Sequence, residues 1–226
     1  MKVMDSFRFF FTAPEWKNNL MIASVFVFIP VIGQLALYGW QSEIAQRMSR
    51  GEAQPIVPLS FDQLMPYMQR GIAPFLSQMA ASLPLTVLVV IGNALIIMAL
   101  AIASSSVVVA ILLAAMYLFI IVVGSLLTVV LASILLTRAE LCEDISTTFD
   151  FAALKRYARA VWKPTLFTHF VFLLLSSVFA FVAFLFCCVG IFPAAAIINL
   201  AMMHLRMQLY EGYLAQGGEA FPVKAP

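Results

Sequence analysis

The sequence predicts an all-α integral membrane protein, folded as a helical bundle of about three helical hairpins with short interfacial amphipathic helices. The first observation is a continuous run from Gly71 to Thr137 without a charged side chain. Two further uncharged runs extend from Pro164 to Leu205 and from Asn18 to Ser42. Because one helical crossing of a bilayer takes about 20 apolar residues, each of the two longer runs holds two crossings and a turn. The turns are expected near residues 103–106 and 188–193.

Composition supports a single membrane domain. Hydrophobic residues make up 63% of the chain and the mean hydropathy is +1.01, whereas soluble domains contain about 45–50% apolar residues. The polar stretches Glu43–Arg70 and Arg138–Lys163 are too short to bury a core of their own. We therefore expect one domain over residues 1–226. Its hairpins are expected at about 18–49, 74–137 and 164–214, and its interfacial segments at about 5–14, 58–72 and 149–163.

The basic residues predict the orientation in the membrane. All 13 Lys and Arg side chains fall in four segments, at residues 1–17, 43–70, 138–163 and in the tail after residue 205. Basic residues accumulate on the cytoplasmic side of membrane proteins. Two crossings separate the second segment from the third, and two more separate the third from the tail. These three segments are therefore expected on the cytoplasmic face.

The first uncharged run along the chain contains a predicted helix break at Pro30 and Gly33. Proline removes a helical hydrogen bond and glycine permits a reversal of the chain. Two arms of about 12–16 residues would each reach about 18–24 Å into the membrane. Such a re-entrant hairpin places both termini in the cytoplasm. The alternative is one proline-kinked helix that crosses once, which would leave the basic residues of segment 1–17 outside.

The segment Asp150–Lys163 carries the candidate binding residues. On a helical wheel its apolar side chains gather on one face, and its cations occupy the adjoining face. This pattern is typical of a helix that lies in the membrane interface, where each cation can gain about 1 kcal/mol against an anionic leaflet. We expect contact with lipid headgroups or a partner, although membrane anchoring and topology alone would produce the same pattern. The cations are Lys155, Arg156, Arg159 and Lys163.

No metal or cofactor site is expected. His169 and His204 lie on opposite arms of the third hairpin, about 10 Å apart in depth by helical rise, and no third ligand accompanies them. The three cysteines, Cys142, Cys187 and Cys188, provide no disulfide framework. Phosphate-binding loops, zinc-hydrolase helices and nucleophile elbows are absent from the sequence. We therefore expect no catalytic residues, no cofactor and no binding of nucleic acid.

Several short motifs resemble a known family. They are Pro14-Glu15-Trp16-Lys17, Ile29-Pro30-Val31-Ile32-Gly33-Gln34, Tyr38-Gly39, Arg50-Gly51-Glu52, Phe61-Asp62, Arg70-Gly71 and Phe149-Asp150-Phe151. In this order, over roughly residues 7–214, the chain resembles the prokaryotic membrane family of domain of unknown function 4013. The resemblance implies an uncharacterised, multi-pass protein of the prokaryotic cytoplasmic (inner) membrane. It implies no activity and no catalytic residues.

The expected function is non-catalytic: a membrane-embedded scaffold or accessory subunit that organises lipids or a membrane complex. Its expected partners are membrane lipids, and other membrane proteins or further copies of the chain are compatible with its many small residues. The alternative is a transporter or channel for a neutral or lipid-like solute. A polar groove for such a solute would be lined by Asn93, Ser125, Thr128 and Asn199. Coupling to protons or cations is not expected, since the uncharged runs contain only histidines as titratable groups near neutral pH.

Overall fold

The computed structural model describes residues 2–102, 107–186 and 189–225. Within these ranges the chain forms α-helices and two 3₁₀ turns and contains no strand, which confirms the all-α fold class. The turn expected at residues 103–106 lies outside the described ranges, as do Cys187 and Cys188. The helices are α1 (Val3–Phe9), α2 (Trp16–Phe28), α3 (Ile32–Ser49), α4 (Leu64–Ile102), α5 (Val107–Cys142), α6 (Ile145–Thr148), α7 (Phe151–Phe184) and α8 (Ile191–Ala215).

In the part of the chain that the structure describes, three segments are long and apolar enough to cross a membrane: Phe61–Ala99, Ile111–Cys142 and Phe151–Phe184. α8 is not among them, although the sequence predicts it as the return arm of the third hairpin. Its 25 residues include Asn199 and His204, and polar side chains of this kind lower its mean hydropathy.

The break between α2 and α3 falls at residues 29–31. Residues 30–32 form a tight three-residue turn, in which the N–H of Ile32 donates a hydrogen bond to the carbonyl oxygen of Pro30 at 2.8 Å. Close packing then brings the two helices together, since a Cβ atom at Gly33 would overlap the backbone of Phe26. The ring of Phe28 lies 5.3 Å from that of Phe192. The tip of α2–α3 is therefore level with the first turn of α8.

α3 and α4 pack with their backbones in close contact. A Cβ atom at Gly39 would overlap the carbonyl oxygen of Tyr67, and one at Gly71 would overlap that of Leu35. Small residues at such crossings let helix backbones approach, which is how helices associate without a hydrophobic driving force. The glycines of two motifs in the family resemblance therefore have a packing role in this chain.

The α4–α5 hairpin extends beyond this contact. Its two helices pack on each other, and the last three turns of α5, residues 132–142, are buried against the rest of the bundle. Between residues 82 and 131, most described side chains of both helices are exposed and apolar. Only a membrane or another apolar partner can solvate so much hydrophobic surface.

The interfacial segments expected at 58–72 and 149–163 are not separate helices, which corrects the predicted boundaries. The first is a loop, a 3₁₀ turn and the beginning of α4, and the second is the beginning of α7. Pro164, at which the third hairpin was expected to begin, lies inside α7. A proline inside a helix removes one hydrogen bond and clashes with the preceding turn. The burial of Leu154, Tyr157 and Val161 holds the helix continuous across it.

The α3–α4 contact predicts the effect of one added methyl group. Gly39→Ala should destabilise the protein by about 2 kcal/mol, because overpacking against a backbone outweighs the gain in helix propensity. Thermal unfolding in detergent should show a midpoint lower by roughly 4–8 °C. The control is Gly124→Ala, whose new Cβ would meet only the flexible ends of the Leu85 and Leu88 side chains, at 2.9 and 3.4 Å. Equal stability of the two variants would contradict this packing.

Candidate functional site at the polar end of the bundle

The four predicted binding residues share the exposed surface of the first half of α7. Lys155, Arg156, Arg159 and Lys163 are all exposed, while Tyr157 on the same helix is buried. The apolar side chains of this segment were expected to share one face, but the structure divides them between the protein interior and the surface. Leu154 and Val161 are buried, whereas Phe151 is 78% exposed and Trp162 is 46% exposed. The structure therefore brings the four cations together beside two exposed aromatic rings.

The cations of the chain fall into two groups. Eight of the 13 have a carboxylate within 4.0 Å. Among the described residues, no carboxylate lies within that distance of the other five, which are Arg8, Lys17, Lys155, Arg159 and Lys163. Three of the four predicted binding residues thus have no ion pair within the described part of the chain.

Glu143 joins three parts of the chain through its buried carboxylate. One oxygen accepts hydrogen bonds from Arg70 Nε at 2.7 Å and from Gln46 Nε2 at 2.8 Å. The other oxygen accepts one from Lys224 Nζ at 2.8 Å. The side chain of Glu143 is only 1% exposed. It therefore links α3, α4 and the C-terminal tail at the end of α5.

The backbone of Glu143 adopts a conformation that favours glycine, with φ at 49°. Its N–H donates to the carbonyl oxygen of Ala139 at 2.9 Å, which closes the end of α5 as a left-handed cap. A non-glycine residue pays a steric penalty in this region. The three hydrogen-bond donors explain why a carboxylate occupies the position.

Glu43 and Gln46 extend this network along α3. Glu43 accepts from Arg47 at 3.0 Å and from Arg70 at 2.9 Å. The Gln46 side-chain oxygen accepts from Arg70 Nη2 at 2.9 Å. Arg70 therefore bonds to two carboxylates and one amide with its guanidinium fork. This geometry fixes the angle between α3 and α4 at their polar ends.

A second ion pair lies deeper in the bundle. Arg206 of α8 donates from Nη2 to Oε1 of Glu140 on α5, and the side chains are 4% and 0% exposed. Arg206 Nε and Glu140 Oε2 have no hydrogen-bond partner among the described residues. The pair therefore connects α5 to α8 without exposure to bulk water.

The C-terminal tail folds back across the ends of α5, α7 and α8. Phe221 stacks on Tyr210 with ring centroids 4.9 Å apart, and its N–H donates to the Tyr210 hydroxyl at 2.7 Å. The Arg138 guanidinium lies 5.0 Å from the Phe221 ring. The N–H of Lys224 donates to the carbonyl oxygen of Leu141 at 2.9 Å. The tail is therefore an ordered part of the polar end, which is the region where the ends of α3, α5 and α8 meet the beginnings of α4 and α7.

Two aspartates organise the loop between α5 and α7. The hydroxyls of Ser146 and Thr147 and the N–H of Thr147 donate to Asp144, and these bonds lower its pKa to about 2. Asp150 caps α7, and the bond from the Ala153 N–H is the main cause of its lowered pKa. Both carboxylates therefore stay ionised at neutral pH.

The histidines hold structural positions. His169 Nδ1 lies 2.9 Å from the carbonyl oxygen of Thr165. His204 stacks on Phe9 with ring centroids 4.1 Å apart. Phe172 packs with residues 201 and 205 of α8, so the two histidines lie at more similar depths than the offset expected from helical rise.

No group of three His, Cys, Asp or Glu side chains in the described part of the chain could hold a metal ion. One pair has the residue types of a nucleophile and a base, since Ser6 Oγ lies 3.1 Å from His204 Nδ1. Ser6 is fully buried, and Gln208 rather than a carboxylate contacts both side chains at 3.1 Å. This pair therefore joins α1 to α8 and offers no access to a substrate.

The buried ion pairs are the feature of the site that the sequence alone does not reveal. Residues 43–70 and 138–163 carry an orientation signal, but no local pattern pairs individual charges across them. The sequence signal that could have revealed these ion pairs is the presence of both acidic and basic residues toward the ends of α3, α4, α5 and α8. Glu143 and Arg70 are 73 positions apart, so only the three-dimensional arrangement of the hairpins shows their contact.

The fold and the site define an α-helical membrane protein whose polar end is held together by buried ion pairs. The chain belongs to the family described as "Protein of unknown function (DUF4013)", whose model matches residues 22–205. No curated protein and no solved structure matches it.

Removal of the charge of Glu143 should destabilise the polar end. Glu143→Gln removes the carboxylate partner of Lys224 and one of the two carboxylates that bind Arg70, and the loss of hydrogen bonds to a buried charged group costs about 1.5–3 kcal/mol. The matched control is Glu219→Gln, because its pair with Arg156 is exposed on both sides and such pairs contribute at most about 1 kcal/mol. Chemical denaturation in detergent should separate the two variants clearly. A Glu143→Gln protein as stable as Glu219→Gln would show that Glu143 is not a structural hub.

The tip of α2–α3 offers a stabilising substitution. Val31 is 56% exposed and has a positive φ of 64°, which costs a β-branched residue about 1–2 kcal/mol. Val31→Gly should raise the unfolding midpoint by about 2–4 °C, after allowance for the larger entropy of unfolded glycine. Val31→Ala, which keeps the steric conflict, should give no such gain. A lower midpoint for Val31→Gly would indicate that the valine side chain itself holds the tip.

Proposed function

We propose that this protein is a non-catalytic membrane scaffold that organises anionic lipids, or a complex that assembles on them. The observation that carries the proposal is the exposed basic row of α7. Lys155, Arg159 and Lys163 have no carboxylate within 4.0 Å among the described residues, whereas the cations within the bundle are paired. Cations at successive turns of one helix suit the headgroups of an anionic leaflet.

The surface next to this row fits lipid chains. A cavity of about 870 Å³ lies between α1 and α7. A second cavity of about 330 Å³ shares Met4 and Leu175 with the first and is lined by apolar and aromatic side chains. Lys2 and Asp5 line the first cavity at its polar end. An acyl chain in this groove would lie with its headgroup near the polar end of the bundle.

The α4–α5 hairpin supports the scaffold part of the proposal. Its exposed apolar length offers a large surface to lipids, to another membrane protein or to a second copy of this chain. It contains few polar side chains that would form a path for ions. A protein with this shape acts by occupying and ordering the membrane.

Loss of the basic row should weaken lipid retention without unfolding the protein. We expect the triple variant Lys155→Gln/Arg159→Gln/Lys163→Gln to retain anionic lipid up to about 100-fold more weakly, since each cation contributes about 1 kcal/mol. Native mass spectrometry after gentle extraction measures this retention. Arg159→Gln can be compared directly with Arg50→Gln, a paired arginine at the end of α3. If the two single variants retain lipid equally, the row has no specific role.

Orientation follows from the same proposal. We propose that the polar end faces the cytoplasm of a prokaryotic cell, that the α2–α3 hairpin enters and leaves on that side, and that both termini are cytoplasmic. Single cysteines at Lys2 and Gln216, both exposed, can be placed in a chain without its native cysteines. An impermeant thiol reagent should label neither site in intact cells and both after lysis. Labelling of Lys2→Cys alone in intact cells would mean that residues 18–42 cross once.

A second candidate function is movement of a lipid-like solute. The observation in its favour is the groove along α1 and α7, which continues from Lys2 to Val182. None of the residues proposed for a polar path, Asn93, Ser125, Thr128 and Asn199, lines this groove. Transfer of a fluorescent lipid analogue between leaflets, above that in protein-free vesicles, would favour this function over the scaffold.

A further inference from the structure

A cavity of about 280 Å³ lies beneath the C-terminal tail, separate from the basic row and from the apolar groove. The end of α5, α6, the first turns of α7 and Tyr213 of α8 form its base, and residues 219–222 of the tail close it. This volume lies just below the range for small-molecule sites, about 300–1,000 Å³. The cavity therefore fits a small chemical group better than a large ligand.

Arg138 contributes a buried guanidinium to the cavity. Its Nε donates to the carbonyl oxygen of Thr147 at 2.7 Å, and its Nη2 lies 3.4 Å from Asp150. The Arg138 residue is only 3% exposed, and its buried Nη1 makes no hydrogen bond to any described residue. A buried cationic donor without an acceptor is costly. The Phe221 ring of the tail lies 5.0 Å from this guanidinium, so an acceptor that enters as the tail moves away would satisfy Nη1.

Arg156 contributes a second guanidinium from the first turns of α7. Its Nη2 donates to Glu219 of the tail at 2.6 Å, and both side chains of this pair are more than half exposed. Exposed pairs of this kind are weak, because water screens the charges and the side chains must be ordered. Glu219 is therefore an intramolecular anion that a better acceptor can displace from Arg156.

We propose that this cavity binds a phosphate group, with Arg138 Nη1 and Arg156 as donors and Glu219 as the carboxylate that the phosphate displaces. Guanidinium N–H groups match the oxygens of a phosphate: Arg138 offers Nη1, and Arg156 offers the N–H groups that Glu219 releases. Asp150 also lines the cavity, but its Oδ1 already accepts the N–H groups of residues 152 and 153. Once Glu219 has moved away, the two guanidinium groups outnumber this single carboxylate. The tail then acts as a competitor for the site.

The phosphate can belong to a lipid headgroup or to a soluble compound, and one set of variants separates these sources. Inorganic phosphate is titrated into the full-length protein in detergent, at constant ionic strength set with chloride, and binding is followed by thermal stabilisation. Arg156→Gln should weaken binding about 10-fold or more, and Glu219→Gln should strengthen it about two- to fivefold. The matched controls are Arg50→Gln and Glu52→Gln, which alter an exposed Arg–Glu pair elsewhere and should leave binding unchanged.

The same variants are then bound to vesicles of phosphatidylglycerol and phosphatidylcholine in equal parts. The same pattern in vesicles, without binding of inorganic phosphate, identifies a lipid headgroup as the source. Binding of inorganic phosphate with the predicted pattern identifies a site that also accepts soluble phosphate. Absence of the pattern in both experiments, or equal effects of Arg156→Gln and Arg50→Gln, overturns the proposal. Because the basic-row variant leaves Arg156 intact, failure of the cavity is distinguishable from failure of the proposed lipid scaffold.

Discussion

Two buried carboxylates at the end of α5, Glu140 and Glu143, constrain how the whole bundle closes. Their partners come from four other parts of the chain: α3, α4, α8 and the C-terminal tail. Ionised groups are stable in a protein interior only when they are paired and hydrogen-bonded. The helices can therefore close around α5 only in an arrangement that delivers Arg70, Lys224 and Arg206 to these two positions.

The rest of the molecule depends on this polar end in a simple way. Where α3 meets α4, glycines allow the backbones to touch, but packing of small residues alone does not select one register. The ion pairs supply that selection. Beyond them, the α4–α5 hairpin has little contact with the bundle and exposes its apolar side chains to the membrane. The protein thus combines a polar end specified by ion pairs with an apolar body that faces the membrane.

The paired and the unpaired cations of the chain lie in different parts of the structure. Cations that hold the bundle are bound to carboxylates, and those of the α7 row point away from it. Arg156 lies on the same helix beside the row but is paired with Glu219 of the tail. The tail therefore connects the structural network to the surface that we propose for lipids.

The sequence predicted the features that the membrane imposes. Residues 71–137 identify a helical pair because hydrocarbon tolerates few charges, and Pro30 identifies a break because its ring conflicts with a helix. Prediction was less accurate where tertiary contacts decide. Pro164 does not start a helix, because buried side chains before and after it, such as Val161 and His169, hold α7 continuous. The contact of Glu143 with Arg70 depends on how two hairpins pack, and no local pattern of residues specifies it.

A double-mutant cycle on the deepest ion pair tests the central claim most directly. Glu140→Leu and Arg206→Met should each destabilise the protein by about 3–5 kcal/mol, since each leaves an uncompensated buried charge. The double variant, which replaces the pair by apolar side chains of similar size, should recover most of that loss. Denaturation in detergent provides the free energies of unfolding. Additive losses in the double variant would contradict the claim that the two charges stabilise the bundle through each other.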